Sequence, residues 1–147
     1  MSRKILIIMP RWPEGSLWGV MGIRFPYLSL TTLAALTPPH IEVRITDENV
    51  EAIDFDSRPD LVAVSLLTPL APRGYEIADQ FRNRGIPVVV GGVHATMMPE
   101  EAEEHADAVV IGEGEILWPE VVADFTKGEL KKYYLTDRRT PLNAMAL

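Results

Sequence analysis

Five short apolar runs punctuate this chain and predict its strands. They are rich in Val and Ile and bounded by Pro, Gly or Asp, a composition that favours strand over helix. They cover residues 5–9, 41–46, 61–66, 88–90 and 108–111. Four are continuously apolar, as in parallel strands buried on both faces. The second alternates apolar and polar positions, which is typical of a strand near a sheet edge.

Helical periodicity fills most of the gaps between these runs. Apolar residues recur every three or four positions, which predicts helices over residues 26–36, 72–84, 99–105 and 115–127. Pro119 is expected in the first turn of the last helix, where proline is tolerated. The acidic segment 48–59 is too short for a good helix, so a loop or a single turn is expected there.

This alternation of strand and helix predicts an α/β fold. Short connections imply a doubly wound parallel sheet with helices on both faces, in three layers. About five strands favour the flavodoxin-like order 2-1-3-4-5, with ligands binding beyond the carboxyl ends of the strands. Residues 1–135 are expected to form this domain. Within it, residues 132–135 fit a short added strand, and residues 136–147 are interpreted as a linker or the cut start of another domain.

Composition narrows the classes of function. The 147 residues suffice for one ordinary domain, and 21 acidic against 14 basic residues give a net charge of −7. This charge disfavours nucleic-acid partners. The absence of cysteine excludes disulfides, thiolate zinc sites and cysteine-ligated iron–sulfur clusters in these residues. Because no apolar run has the length of a membrane span or a signal peptide, we expect a soluble, cytoplasmic protein without a membrane partner.

Glycines cluster where a ligand is expected. Gly91-Gly92 follow the fourth predicted strand, and Gly112 and Gly114 follow the fifth. Glycine allows close approach of a backbone to a ligand or a positive φ, although strand-to-helix turns also use it. We favour the ligand, because these are neighbouring strand ends that would form one smooth wall. Two common phosphate-binding fingerprints are absent. They are G-x-x-x-x-G-K-[ST] and, after the first strand, G-x-G-x-x-G.

The segment after the first strand, residues 10–25, is long and apolar and contains Trp12 and Trp18. Such loops are usually functional or covered. The two indole rings would stack on a large flat ligand, or pack on this domain or on a partner domain. The sequence leaves these alternatives open.

Four stretches resemble the N-terminal cobalamin-binding domain of radical S-adenosylmethionine enzymes. Ser65-Leu66-Leu67 has the form S-x-L, and Gly91-Gly92 has the form G-G. The longer stretches are FPYLSL at 25–30, DLVAVS at 60–65, VVGGVHAT with PEEA at 89–102, and ADAVVIGEGE at 106–115. The resemblance extends from about residue 4 to residue 134.

The resemblance implies that the nucleotide tail of cobalamin lies along the carboxyl ends of the third, fourth and fifth strands. Ser65 would offer a hydroxyl, Gly91 and Gly92 would leave room, and Glu113 would line the far end. A Gly92→Val substitution is expected to block the cofactor and leave the fold intact. The expected cofactor contacts are Pro10, Trp12, Trp18, Ser65, Leu66, Leu67, Thr68, Gly91, Gly92, Val93, His94, Gly112, Glu113 and Gly114.

One departure concerns the ligand below cobalt. Many cobalamin domains carry D-x-H-x-x-G after the first strand, but residues 10–24 contain no histidine. We therefore expect base-off binding without a histidine from this loop, and no metal ligand in this chain. His94 is expected to bond backbone or a ligand amide, and His105 to be structural. The acidic runs 47–56 and 99–104 and Arg73 are expected at the solvated surface.

By this resemblance the chain is a binding module rather than a catalyst. The parent would be a radical S-adenosylmethionine enzyme of methyltransferase type, with its iron–sulfur cluster and S-adenosylmethionine in a missing domain of the same polypeptide. Two alternatives stay open. One is a flavodoxin-like interaction or sensory domain without a cofactor, and the other is a nucleotide-dependent transferase with a degenerate phosphate site.

Overall fold

A six-stranded parallel sheet forms the centre of the molecule. The structure is a computed structural model that describes residues 2–22 and 27–136. The strand order is β2-β1-β3-β4-β5-β6, so the expected five-strand order is confirmed and β6 extends it beside β5. The strands are β1 Lys4–Met9, β2 Glu42–Asp47, β3 Leu61–Ser65, β4 Val88–Gly91, β5 Ala108–Ile111 and β6 Tyr133–Leu135.

Helices follow most of the strands. In the described residues they are α1 Leu17–Met21, α2 Leu28–Leu36, α3 Ala71–Asn83, α4 Val93–Met97, α5 Pro99–Glu103 and α6 Gly114–Lys127. The four predicted helices correspond to α2, α3, α5 and α6. Helices α1 and α4 were not predicted, because five residues are too few to show a helical period. Pro26, the predicted start of the first helix, and residues 137–147, most of the predicted linker, lie outside the described residues.

The position of Pro119 differs from the expectation. Helix α6 begins at Gly114, so Pro119 is its sixth residue and lies in the second turn rather than the first. A proline there cannot donate the hydrogen bond to the carbonyl four residues earlier. The helix continues through this position because one of its faces is buried. That face includes Leu117, Trp118 and Val121. Tertiary packing thus overrides a local helix penalty.

The sheet is buried on both faces. Helices α2 and α6 cover one face, where Ile7, Ala63, Val89 and Val110 point, together with Trp118 from α6. The opposite face packs against α3, α4 and α5. Strand β2 lies at one edge of the sheet, and its burial alternates as expected from Glu42 to Ile45, but the polar Thr46 breaks the alternation because it is buried. Residues 48–59 form turns and irregular backbone, as predicted, and their Phe55 packs on Phe81 of α3 with ring centroids 5.1 Å apart.

Within the described ranges, no helix combines the length and apolar character that crossing a membrane requires.

Candidate cofactor-binding groove

A groove of about 440 Å³ opens at the carboxyl end of the sheet, on the face that α2 and α6 cover. Its size falls within the range of about 300–1,000 Å³ that is usual for small-molecule sites. The sheet, the loops after β3, β4 and β5, and the two helices all contribute. The lining residues are Ile7, Ser29, Leu30, Leu33, Ala63, Val64, Ser65, Leu67, Val89, Gly91, Gly92, Val93, Thr96, Met97, Val110, Gly112, Glu113, Gly114, Glu115 and Trp118.

The floor of the groove follows from the two-residue period of the strands. Ala63, Val89 and Val110 point to the groove face, and their neighbours Val62, Val88 and Val109 point to the other face. Continuing the alternation brings Ser65 and Leu67 to the groove and turns Leu66 away from it. The result is an apolar floor with a hydroxyl and open backbone at its rim.

Gly91 leaves space in the groove that a side chain would fill. It lies opposite Ser65 in the β3–β4 pairing and follows Val89 on the groove face. A Cβ built at Gly91 would meet Val110 Cβ at 3.4 Å, which is ordinary van der Waals contact, and no strained φ requires glycine there. The fold therefore tolerates a side chain at this position, and the open space is a property of the groove.

Gly92 and Gly112 are glycines for a different reason, namely backbone geometry. Their φ values are +99° and +105°, which L side chains rarely adopt. A Cβ at Gly92 would lie 2.7 Å from the carbonyl oxygen of Leu66, and one at Gly112 would lie 3.0 Å from that of Thr136. The expectation that Gly92→Val would leave the fold intact is therefore wrong, because the added side chain would collide with the loop after β3.

Eight of the fourteen predicted contact residues line this one groove. They are Ser65, Leu67, Gly91, Gly92, Val93, Gly112, Glu113 and Gly114. The other six lie outside it: Pro10, Leu66 and His94 are buried, and Trp12, Trp18 and Thr68 belong to other parts of the carboxyl-end surface. Their contact with a cofactor stays a prediction.

His94 is directed away from the groove. Its side chain is buried on the α3–α5 face, with Nε2 2.8 Å from Glu101 Oε1 and Nδ1 3.3 Å from Thr68 Oγ1. The Tyr75 hydroxyl donates to the same Glu101 oxygen at 2.9 Å. The hydrogen bond to His94, and then that from Tyr75, lower the pKa of Glu101. Burial, followed by the Glu101 hydrogen bond, raises the pKa of Tyr75. This network ties α4 to α3 and α5.

The loop after β1 is anchored through Trp12. The Trp12 backbone N–H donates to Asn49 Oδ1 at 3.0 Å, and its indole Nε1–H donates to the Tyr27 hydroxyl at 3.2 Å. Asn49 also donates to the carbonyl of Pro10 at 3.3 Å. Trp12 therefore packs on this domain. The ring centroid of Trp18 lies 6.0 Å from that of Trp12, and Trp18 is 41% exposed.

A buried ion pair supports the same loop, and it corrects two expectations. The Glu48 side chain is only 7% exposed, and Arg73 of α3 donates to it through Nε at 3.1 Å. Glu48 also accepts the backbone N–H of Arg11 at 3.1 Å. Burial by itself raises the pKa of Glu48, but these hydrogen bonds outweigh it and hold the pKa below its ordinary value. Neither Glu48 nor Arg73 is therefore a freely solvated surface charge.

Several groove residues were not predicted. Thr96, Met97 and Trp118 line it from α4 and α6, and Ser29 and Leu33 line it from α2. Trp118 is held by its indole Nε1–H, which donates to Thr37 Oγ1 at 2.9 Å inside the core. Thr96 lies in the G-G-x-H-A-T stretch of the sequence, and this motif was the signal that could have identified it as a groove residue.

Exposed apolar side chains occur in the groove lining and on helices α1 and α2. Val93 and Met97 of α4 and Leu28 at the start of α2 are exposed by 60%, 71% and 74%. Leu17, Val20 and Met21 of α1 are also exposed. Exposed apolar side chains of this kind are typical of a surface that another group or domain covers.

The lining offers backbone, hydroxyl and apolar groups together with the carboxylates of Glu113 and Glu115, and this chemistry fits an organic cofactor. The described lining contains no Lys, Arg or His, which argues against a site built from basic side chains. Among residues 2–22 and 27–136, no three His, Asp or Glu side chains are grouped to hold a metal ion. The open position at Gly91 and the apolar floor fit a flat organic group at the strand ends.

This arrangement, a flavodoxin-like sheet with a glycine-lined groove at its carboxyl end, defines a class of cofactor-binding domains. Comparison with known protein families identifies which class of domain this is. The B12 binding domain model matches residues 26–122, well over half of the chain, so the chain belongs to the B12-binding domain family.

Curated relatives are methyltransferases by name. The chain is 39% identical over 120 residues to bacteriochlorophyllide d C-8(2)-methyltransferase of Chlorobaculum tepidum, which covers 81% of this chain and 27% of that protein. It is 31% identical over 145 residues to the C-12(1)-methyltransferase of the same organism, covering 97% of this chain and 32% of the relative. An uncharacterized methyltransferase of Pyrococcus horikoshii is 33% identical over 142 residues, covering 87% and 31%. The chain thus spans about a third of these relatives or less.

Proposed function

We propose that this chain is the cobalamin-binding module of a larger radical S-adenosylmethionine enzyme of the methyltransferase type. Membership of the B12-binding family and the names of the relatives support cobalamin and methyl transfer. The radical chemistry rests on the resemblance of the G-G-x-H-A-T and G-E-G-E stretches. The chain by itself binds the cofactor, and the reaction takes place in the whole enzyme.

The observation that carries this proposal is the groove and its open position at Gly91. The nucleotide tail of cobalamin would enter it, with its base on the apolar floor of Ala63, Val89 and Val110. Ser65 at the end of β3 would offer its hydroxyl to the tail. Glu113 and Gly114, at the start of α6, would line the far end.

Base-off binding without a histidine ligand is part of the same proposal. The tail can occupy the groove only if its base leaves the cobalt. No histidine lines the part of the groove that the described residues form, and His94 is hydrogen-bonded to Glu101 and Thr68. Leu67 and the loop after β1 would then cover the lower face of the corrin.

When bound, cobalamin supplies a cobalt centre that carries and donates methyl groups. The chain's own residues bind and orient it. Leu30, Leu33 and Trp118 line the groove from the helix side, where they would exclude water from its floor. The exposed apolar side chains of Leu28, Val93 and Met97 would contact the corrin or the rest of the enzyme. We place the iron–sulfur cluster and S-adenosylmethionine in that remaining part of the polypeptide.

The test is a spectral titration of the folded chain with hydroxocobalamin. We expect saturable binding of one equivalent and a base-off spectrum. Cobinamide, the corrin without the nucleotide tail, should bind more weakly. A well-folded sample with no saturable spectral change would overturn the proposal. A reduced full-length enzyme that transfers no methyl group from S-adenosylmethionine would overturn only the assignment of the parent.

An interaction domain without a cofactor is the second candidate. The exposed apolar side chains of α1 and the 41% exposure of Trp18 favour it. It predicts partner binding that a Trp18→Ser substitution abolishes, together with no affinity for cobalamin. The same titration therefore separates the two functions.

A further inference from the structure

Thr96 joins the loops after two neighbouring strands through one hydroxyl group. Its Oγ1 donates to the carbonyl of Gly92 at 2.9 Å. The same oxygen accepts the backbone N–H of Gly112 at 3.0 Å. Gly92 follows β4 and Gly112 follows β5, and all three residues line the groove. A single side chain thus bridges the two glycine loops.

Other hydrogen bonds fix the loop after β4 against the loop after β3. Gly92 is held between Thr96 and the loop after β3, because His94 N–H donates to the Leu66 carbonyl at 3.0 Å and Leu66 N–H to the Gly91 carbonyl at 2.8 Å. Both glycines have positive φ, and their Cα atoms face other backbone at close range. Thr96 Oγ1 therefore adds a hydrogen-bonded link between the two loops, beyond the point where β4 and β5 pair through their backbones. Thr96 is a lining side chain that connects the two loops directly.

We infer that Thr96 is the positioning residue that sets the width of the groove between the loops after β4 and β5, and thereby its affinity for the nucleotide tail. This inference rests on the proposed function. A Thr96→Val substitution keeps the shape of the side chain and removes the hydroxyl. The Gly112 N–H then loses its acceptor, and water or movement of the loop replaces it. We expect tail binding to weaken about tenfold, the factor for a hydrogen bond worth about 1.4 kcal/mol.

The experiment compares four proteins with two ligands. The proteins are wild type, Thr96→Val, Thr96→Ser and Thr126→Val. Each is titrated with hydroxocobalamin and with cobinamide, and its thermal unfolding is recorded. Thr126 is the matched control, because its Oγ1 makes the same kind of bond to a carbonyl four residues earlier, Val122, at 2.8 Å in α6. It lines no part of the groove.

A positioning role predicts a specific pattern. Thr96→Val should lose about tenfold affinity for cobalamin and keep its affinity for cobinamide. Thr96→Ser should restore cobalamin binding, and Thr126→Val should bind both ligands as wild type does. Either of two results would overturn the inference alone. In the first, Thr96→Val loses affinity equally for both ligands. In the second, Thr96→Val loses no affinity for cobalamin, although wild type still prefers cobalamin to cobinamide. A wild type that binds cobalamin no better than cobinamide would overturn the proposed place of the tail, and the inference with it.

Discussion

Gly91 offers the sharpest test of where the cofactor lies, because a side chain there is compatible with the fold and incompatible with an occupied groove. Its backbone pairs with Ser65 in the middle of the sheet, and its φ is one that any residue adopts. A new Cβ would be 3.4 Å from Val110 Cβ. Gly91→Ala adds one carbon to the groove face, and Gly91→Val adds three.

The expected effects on stability and on binding have opposite signs. Glycine inside a strand is entropically unfavourable, so Ala or Val should leave the free energy of unfolding unchanged or raise it by up to about 1 kcal/mol. In the complex, the added carbons overpack the site. Overpacking costs about 1–3 kcal/mol, which corresponds to an affinity loss of about 5-fold for Ala and about 150-fold for Val.

The assay is the hydroxocobalamin titration combined with denaturant unfolding. Val90→Ile is the matched control for Gly91→Ala, because it also adds one carbon to β4 but on the opposite, fully buried face. It should lower stability by about 1 kcal/mol or more and leave affinity unchanged. If Gly91→Val is stably folded and binds cobalamin like wild type, the tail does not lie in this groove.

Three further predictions address the structure around the groove. Glu48→Gln should lower the free energy of unfolding by about 2 kcal/mol near pH 7, because Arg73 loses a buried partner. Since the pKa of Glu48 lies below its ordinary 4.5 in the folded state, that stabilisation is present above pH 4.5 and lost as pH falls through the lowered value. The difference between wild type and Glu48→Gln in denaturant unfolding should therefore shrink in acid, and a constant difference would contradict this. Thr37→Val should cost about 2 kcal/mol, seen as a lower Tm, because the buried Trp118 indole N–H loses its acceptor. An unchanged Tm would mean that another group satisfies the indole. His94→Gln should leave the spectrum of bound cobalamin unchanged, because His94 faces Glu101 and Thr68. A shifted spectrum would show that His94 reaches the cobalt.

The sequence by itself determined the strands, their order and the edge on which the groove lies. Continuous Val- and Ile-rich runs such as residues 5–9 and 108–111 carry the information locally, because a parallel strand buried on both faces needs apolar residues at every position. The alternation of β2 likewise showed its edge position. Glycines after the fourth and fifth strands indicated the groove, since the carboxyl ends of parallel strands share one edge of the sheet.

Only the tertiary structure decided which of the residues near that edge face the groove. Leu66 and His94 follow the same strands as Ser65 and Gly91, but the first two point to the α3–α5 face. Gly91 and Gly92 are adjacent in sequence, yet one leaves space in the groove and the other avoids a collision with the backbone at Leu66. The pairing of Glu48 with Arg73 and the bridge from Thr96 to Gly112 join residues that are 25 and 16 positions apart. No local pattern encodes such contacts, because they depend on how far apart the folded strand ends lie in space.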